Sequence, residues 1–197
     1  NLFPRHLDDA RQVVELGCGD GMILSALARD GRTLIGIDHS ADRFDPRASG
    51  NGVIFVHERA SRIDLPDEST DIILSFNAFE NFGDPASFYS EIKRILKPGG
   101  IFYTDFGPLY NSPWSIHGND AIHVSFFQHM FQKNDMHDYF LENSLPTINF
   151  EYVNEYSHMD FIRIFDDPKN NMNTRFFKTS TSTQVIDLLL KYPHIFS

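Results

Sequence analysis

The sequence predicts an α/β fold, a doubly wound, mostly parallel sheet of about seven strands in a three-layer sandwich. Two observations carry that reading. Strand-like and helix-like patterns alternate through the first hundred residues, and the run Ile72-Ile73-Leu74 is apolar on both faces, as a strand covered by helices on either side requires.

The elements follow in order. Residues 12–16 form a short apolar strand ending in glycines. Residues 22–29 repeat apolar side chains at helical spacing and stop at Gly31, a suitable residue to end a helix. Residues 33–38 give a second strand, and the β-branched and aromatic residues 53–57 a third. Residues 71–76 give a fourth. Residues 86–96 place Phe88, Ile92, Ile95 and Leu96 on one helical face, and Lys97-Pro98-Gly99-Gly100 ends that helix. Residues 101–106 make a fifth strand. Beyond Gly107 the pattern loosens: residues 108–127 are rich in Pro, Trp, His, Ser and Asn, and residues 131–143 read as a helix. Two further strands are expected among residues 148–156, 159–165 and 174–179, and residues 185–191 read as a closing helix. The expected organisation is one domain over residues 1–197. Residues 1–106 bind the main ligand, and residues 107–197 supply an insertion for a second one and the last strands.

At 197 residues with 41% hydrophobic content the chain is long enough to bury a core. No run approaches the roughly 18 apolar residues of a membrane span, and residues 1–6 have no signal-peptide core, so a cytoplasmic setting is expected. The lone cysteine, Cys18, cannot form an internal disulfide. A formal charge of −10 repels a polyanion, which argues against a nucleic-acid partner.

Gly17, Gly19 and Gly21 follow a strand and open a helix, so the backbone can turn tightly and no Cβ blocks a ligand lying on it. Their spacing is G-x-G-x-G. The dinucleotide fingerprint would want glycine or alanine at position 22, which is Met22. Asp38 closes the second strand, where its carboxylate is placed either to accept hydrogen bonds from the two hydroxyls of a ribose or to cap the following turn.

These residues, with Leu65-Pro66-Asp67-Glu68-Ser69-Thr70-Asp71-Ile72-Ile73-Leu74-Ser75 and Leu96-Lys97-Pro98-Gly99-Gly100, resemble the class I S-adenosylmethionine (SAM) dependent methyltransferases over residues 11–106. Within that family the sequence looks most like the methyltransferase-11 type that acts on small molecules. The resemblance implies a Rossmann-like fold and SAM as cofactor. It also implies site roles: Glu15, Gly17, Cys18, Gly19 and Gly21 around the methionine portion, Asp38 on the ribose, Ala60 and Ser61 about the adenine, Asn77 at the methionine end, and His39 as a further cofactor-binding residue. Two departures are visible, Arg59 where relatives carry Asp and Asn81 where they carry His.

A sulfonium methyl group is electrophilic, so the protein need only align a nucleophile and exclude water. His117 and His129 are the candidate general bases for a hydroxyl acceptor. His117, His123 and His129 are spaced by six, which places no pair on one helical face, and no metal is predicted. Tyr103, Phe106, Tyr110, Trp114, Phe126 and Phe127 are candidates to line a pocket for an apolar, aromatic or sugar-containing small acceptor. Two other readings stay open: a SAM-binding domain that scaffolds partners without turnover, and an NAD-dependent oxidoreductase, which Met22 disfavours.

Overall fold

The computed structural model describes residues 7–58, 62–115, 122, 124–145, 154–170, 172–181, 183 and 185–195. They divide into two compact units, Asn1–Gly107 and Pro108–Ser197.

The first unit holds five strands: β1 (Gln12–Leu16), β2 (Thr33–Asp38), β3 (Val53–His57), β4 (Thr70–Phe76) and β5 (Leu96–Asp105). All are parallel, in the order β3-β2-β1-β4-β5. Between them lie the helices α1 (Met22–Ser25), α2 (Pro46–Gly50) and α3 (Pro85–Ile95). The chain leaves β1 in one direction to build β2 and β3, then returns to β1's other side for β4 and β5. The reversal puts a crevice at the carboxyl ends of β1 and β4, the place where open parallel sheets bind ligands.

Alternation along the strands shows that helices cover both faces. Val13, Leu34, Val53, Ile72 and Leu74 share one face and pack with Leu24 of α1 and Ala48 of α2. Val14, Ile35 and Ile73 are in register on the opposite face, with Phe102 beside Ile73. Phe102 meets Tyr89 of α3 at 6.2 Å between ring centroids and Phe79 at 6.0 Å. Val13, Val14 and Ile73 are fully buried, which explains why these strands read as continuous apolar runs rather than alternating ones. The doubly wound expectation therefore holds, with five strands described rather than about seven.

Three local differences from the sequence reading have physical causes. The helix predicted over residues 22–29 stops at Ser25. The chain continues as tighter turns, Leu27 N–H to Leu24 O and Ala28 N–H to Ser25 O, and the Arg32 guanidinium takes the Leu27 carbonyl at 2.8 Å. Lys97–Gly100 not only ends α3 but belongs to β5, in a register shift between Thr70–Leu96 and Ile72–Ile101, with Lys97 Nζ 2.7 Å from Asp71 Oδ1. Residues 159–165, one of three candidate strands, are instead helix.

That helix belongs to the second unit, whose helices are α4 (Phe127–Met130), α5 (Lys133–Glu142), α6 (His158–Phe165) and α7 (Ile186–Lys191). Ser157 and Asp160 form a reciprocal capping box at the start of α6. Phe127, Met136 and Phe140 make a small core of their own. Residues 174–179 have no regular secondary structure, and residues 148–153 lie outside those described. No described helix is long and apolar enough to cross a membrane.

Arg94 ties α3 to the segment before β4. Its guanidinium bonds Glu91, Asp67 and the carbonyls of Ile63 and Leu65, each side-chain or carbonyl contact at 2.8 to 3.0 Å. Arg94→Ala leaves two half-buried carbonyls without these donors. The expected loss is about 1–3 kcal/mol, read as a lower midpoint in urea denaturation; an unchanged midpoint would show that water replaces the guanidinium at no cost.

Candidate cofactor site

The loop between β1 and α1 is drawn over the end of β2. Gly17 and Cys18 donate their N–H groups to the Ile37 carbonyl at 2.8 and 3.2 Å. Gly17 and Gly19 have φ of +71° and +53°, a left-handed backbone that costs other residues about 1–2 kcal/mol. Their missing side chains matter for different reasons. A Cβ on Gly17 would lie 2.4 Å from the Ala78 Cβ, so the loop is packed directly on the segment that follows β4. A Cβ on Gly19 would lie 3.0 Å from a guanidinium nitrogen of Arg43, on the turn that follows β2.

Asp38 is 4% exposed and joins the two loops. One carboxylate oxygen accepts the Gly19 N–H at 2.9 Å and the other the Ser40 N–H at 2.9 Å. The turn-capping role left open by the sequence is thus present. Each oxygen retains acceptor capacity, since a carboxylate offers about four lone-pair positions in all. His39 Nδ1 lies 3.3 Å from the same carboxylate, and the His39 carbonyl meets His57 Nε2 at 2.9 Å.

Glu15 sits beneath the loop, in register with Gly36 and Leu74 and 1% exposed. Burial, reinforced by the charges of Asp20 and Asp38 and opposed by the Leu24 N–H, pushes its carboxyl up to about 8. One oxygen, Oε2, is buried with no hydrogen-bond partner among the described residues. A buried carboxyl group with one unsatisfied oxygen at the foot of a glycine cradle suits a hydrogen-donating ligand, and a cationic one placed there would favour release of its proton. SAM, with its ammonium and sulfonium groups, fits that chemistry. Cys18 is an inert neighbour: burial first, then Asp38 and Glu15, push its thiol up to about 12, and a Cβ on Gly36 would lie 2.8 Å from its sulfur.

Glu80, on the turn after β4, is 5% exposed; burial pushes its carboxyl up to about 7 against the backbone N–H groups of Glu80 and Gly107. Nothing in the sequence around Glu80 marks it as a site residue. Glu15 and Glu80 give stability a definite pH dependence. Both acids hold protons in the folded state that the unfolded chain releases above about pH 4.5. Their contribution is therefore fully present below pH 4.5 and lost as pH rises through about 7 for Glu80 and about 8 for Glu15. Chemical denaturation between pH 5 and 8 should show stability falling by a few kcal/mol, on the order set by 1.36 kcal/mol per unit. Glu15→Gln should flatten the slope above pH 7; a slope unchanged by that substitution would contradict the assignment.

Asn77 begins the loop after β4 with φ +46° and donates its N–H to the Asp105 carbonyl at 2.8 Å, so it holds the ends of β4 and β5 together. The structure thus brings together Glu15, Gly17, Cys18, Gly19, Gly21, Asp38 and His39 around one loop, with Asn77 adjoining Ala78 beside Gly17. Ala60, Ser61, His117 and His123 lie outside the described residues. His129 is on α4 of the second unit, its ring 5.2 Å from Tyr110 and edge-on; burial lowers its pKa below the ordinary histidine value, against the opposing pull of Glu155. Gln128 secures that neighbourhood by donating to the Tyr110 and Ser112 carbonyls, each at 2.9 Å. Among the described residues no three His, Cys, Asp or Glu side chains group to hold a metal.

Residues 14–104 match the model of the methyltransferase domain family. A candidate SAM-dependent methyltransferase of Mycolicibacterium smegmatis is 37% identical over 98 residues, 49% of this chain and 38% of that protein. A fatty-acid O-methyltransferase of the same organism is 34% identical over 111 residues, 53% of this chain and 40% of its own. The matched part spans about two fifths of these relatives. The structure of a candidate methyltransferase from Bacillus halodurans shares the fold, with TM-score 0.53 and 22% identity over 79% of this chain and 61% of that one. Residues 14–104 are therefore similar to methyltransferase domains, and the cofactor named for the first of these relatives is SAM.

Proposed function

We propose that this protein transfers the methyl group of SAM to a small-molecule acceptor, with the β1–α1 loop, Glu15, Asp38, His39 and Asn77 holding the cofactor. The observation that carries the reading is the conjunction at the sheet's switch point of a left-handed glycine cradle, a buried Asp38 bonded to it, and a buried Glu15 oxygen without a partner among the described residues. Bound there, SAM supplies an electrophilic methyl group. The chain's own work is to orient it: Asp38 takes the ribose hydroxyls, Glu15 faces the positively charged methionine end, and Ala60 and Ser61 flank the adenine.

The acceptor we favour is apolar, aromatic or sugar-containing, with oxygen as the receiving atom. The fatty-acid O-methyltransferase and the ubiquinone biosynthesis O-methyltransferases among the relatives support an oxygen acceptor. The acidic chain, at −10, supports a partner other than nucleic acid. For a hydroxyl acceptor His117 or His129 is the proposed general base; the lowered pKa of His129 keeps its imidazole neutral and able to accept a proton near pH 7. The test is transfer of label from methyl-labelled SAM to a panel of fatty acids, phenols and glycosides. Label in an extracted small molecule supports the reading. Label in none of them, from a protein that binds SAM, would refute small-molecule transfer.

A further inference from the structure

Arg43 lies against the cofactor loop although it stands 24 positions after Gly19, with two secondary-structure elements between them. It ends the short 3-10 turn Ala41–Arg43, is exposed, and presents three guanidinium atoms to the space left by the missing Gly19 side chain, at 3.0, 3.4 and 3.7 Å from a built Cβ. Among the described residues no carboxylate lies within ion-pair distance of it. The other charged side chains around the loop, Asp20 and Asp38, are acidic, and the influence of Arg43 reaches Cys18 in the loop itself.

This arrangement has two poles. The acidic side matches the ammonium and sulfonium groups of SAM, while the carboxylate of its methionine portion would be repelled by that side and needs a cation. A guanidinium matches a carboxylate in shape and can bond it bidentately. Resting on the loop the proposed function assigns to the cofactor, we propose that Arg43 binds the SAM carboxylate and so selects ligands that carry the intact amino-acid end. The position had no signal in the sequence, where a lone Arg in Ser40-Ala41-Asp42-Arg43 reads as a solvated turn residue. Only the room left by Gly19 shows what it faces.

The experiment is a set of calorimetric titrations of the wild type, Arg43→Ala and Arg43→Lys with SAM, S-adenosylhomocysteine, decarboxylated SAM and 5′-methylthioadenosine. The alanine variant should lose at least tenfold in affinity for SAM and S-adenosylhomocysteine and less than twofold for the two ligands lacking the carboxylate, with lysine recovering part of the loss. Equal losses for all four ligands would assign Arg43 to the loop's shape rather than to the carboxylate and overturn the proposal, as would no loss for any. A wild type that binds none of the four would overturn the cofactor reading itself, a result separable from failure of the Arg43 assignment. Because Arg43 is exposed, unliganded melting temperatures of the three proteins should agree, which checks that affinity and not folding is being read.

Discussion

Asp38→Ala is expected to weaken S-adenosylhomocysteine binding at least tenfold, about 1.4 kcal/mol, and to lower the stability of the unliganded protein as well. The second effect follows from what the carboxylate already does. It accepts the N–H groups of Gly19 and Ser40, each at 2.9 Å, in a site 4% exposed. Alanine leaves both donors without their acceptor, at roughly 1–3 kcal/mol for each that water cannot reach. Asp38→Asn separates the two roles. Its carbonyl oxygen can still take one N–H, so stability should fall by less, while the charge that favours ribose hydroxyl bonds is gone and affinity should fall nearly as far. Calorimetric titration and urea denaturation of both variants read the two quantities independently. An alanine variant with unchanged affinity would show that Asp38 serves the turn alone.

The second large effect concerns Gly17. Replacing it with alanine forces a Cβ to within 2.4 Å of the Ala78 Cβ at a φ of +71°, so a left-handed penalty and an overlap with a buried neighbour act together. The combined cost is roughly 2–5 kcal/mol, enough to lower the melting temperature by many degrees and to move the loop off its ligand. Gly50 supplies the control. It lies in α2, and a Cβ there would meet nothing within 4 Å, so Gly50→Ala should be neutral or stabilising by up to about 1 kcal/mol. Similar effects at the two positions would contradict the packing described for the loop.

Strands β1, β2 and β3 begin and end where the sequence places them, because each is a short apolar run bounded by Gly, Asp or His. The glycine loop and Asp38 were legible for a related reason: in a parallel sheet, residues that end strands share one edge, so order along the chain reports position in space. Glu80 and Arg43 were not legible. Their relation to the site comes from turns after β4 and β2, and turn geometry leaves little trace in residue type. Residues 159–165 are a different case. Their apolar run was one of three candidates for two strands, yet Ser157 and Asp160 stand three apart at its start, the spacing of a capping box, and that signal was available. The apolar face of α6 is also spaced as a helix requires, with Phe161 buried and Met159 exposed.

Thermal unfolding of the wild type with and without ligand decides whether the loop following β1 holds SAM. S-adenosylhomocysteine at a hundred times its Kd should add about 2.7 kcal/mol to stability and raise the melting temperature by several degrees, with NAD at the same concentration giving no comparable rise. A melting temperature unmoved by both SAM and S-adenosylhomocysteine, or raised more by NAD, would contradict it.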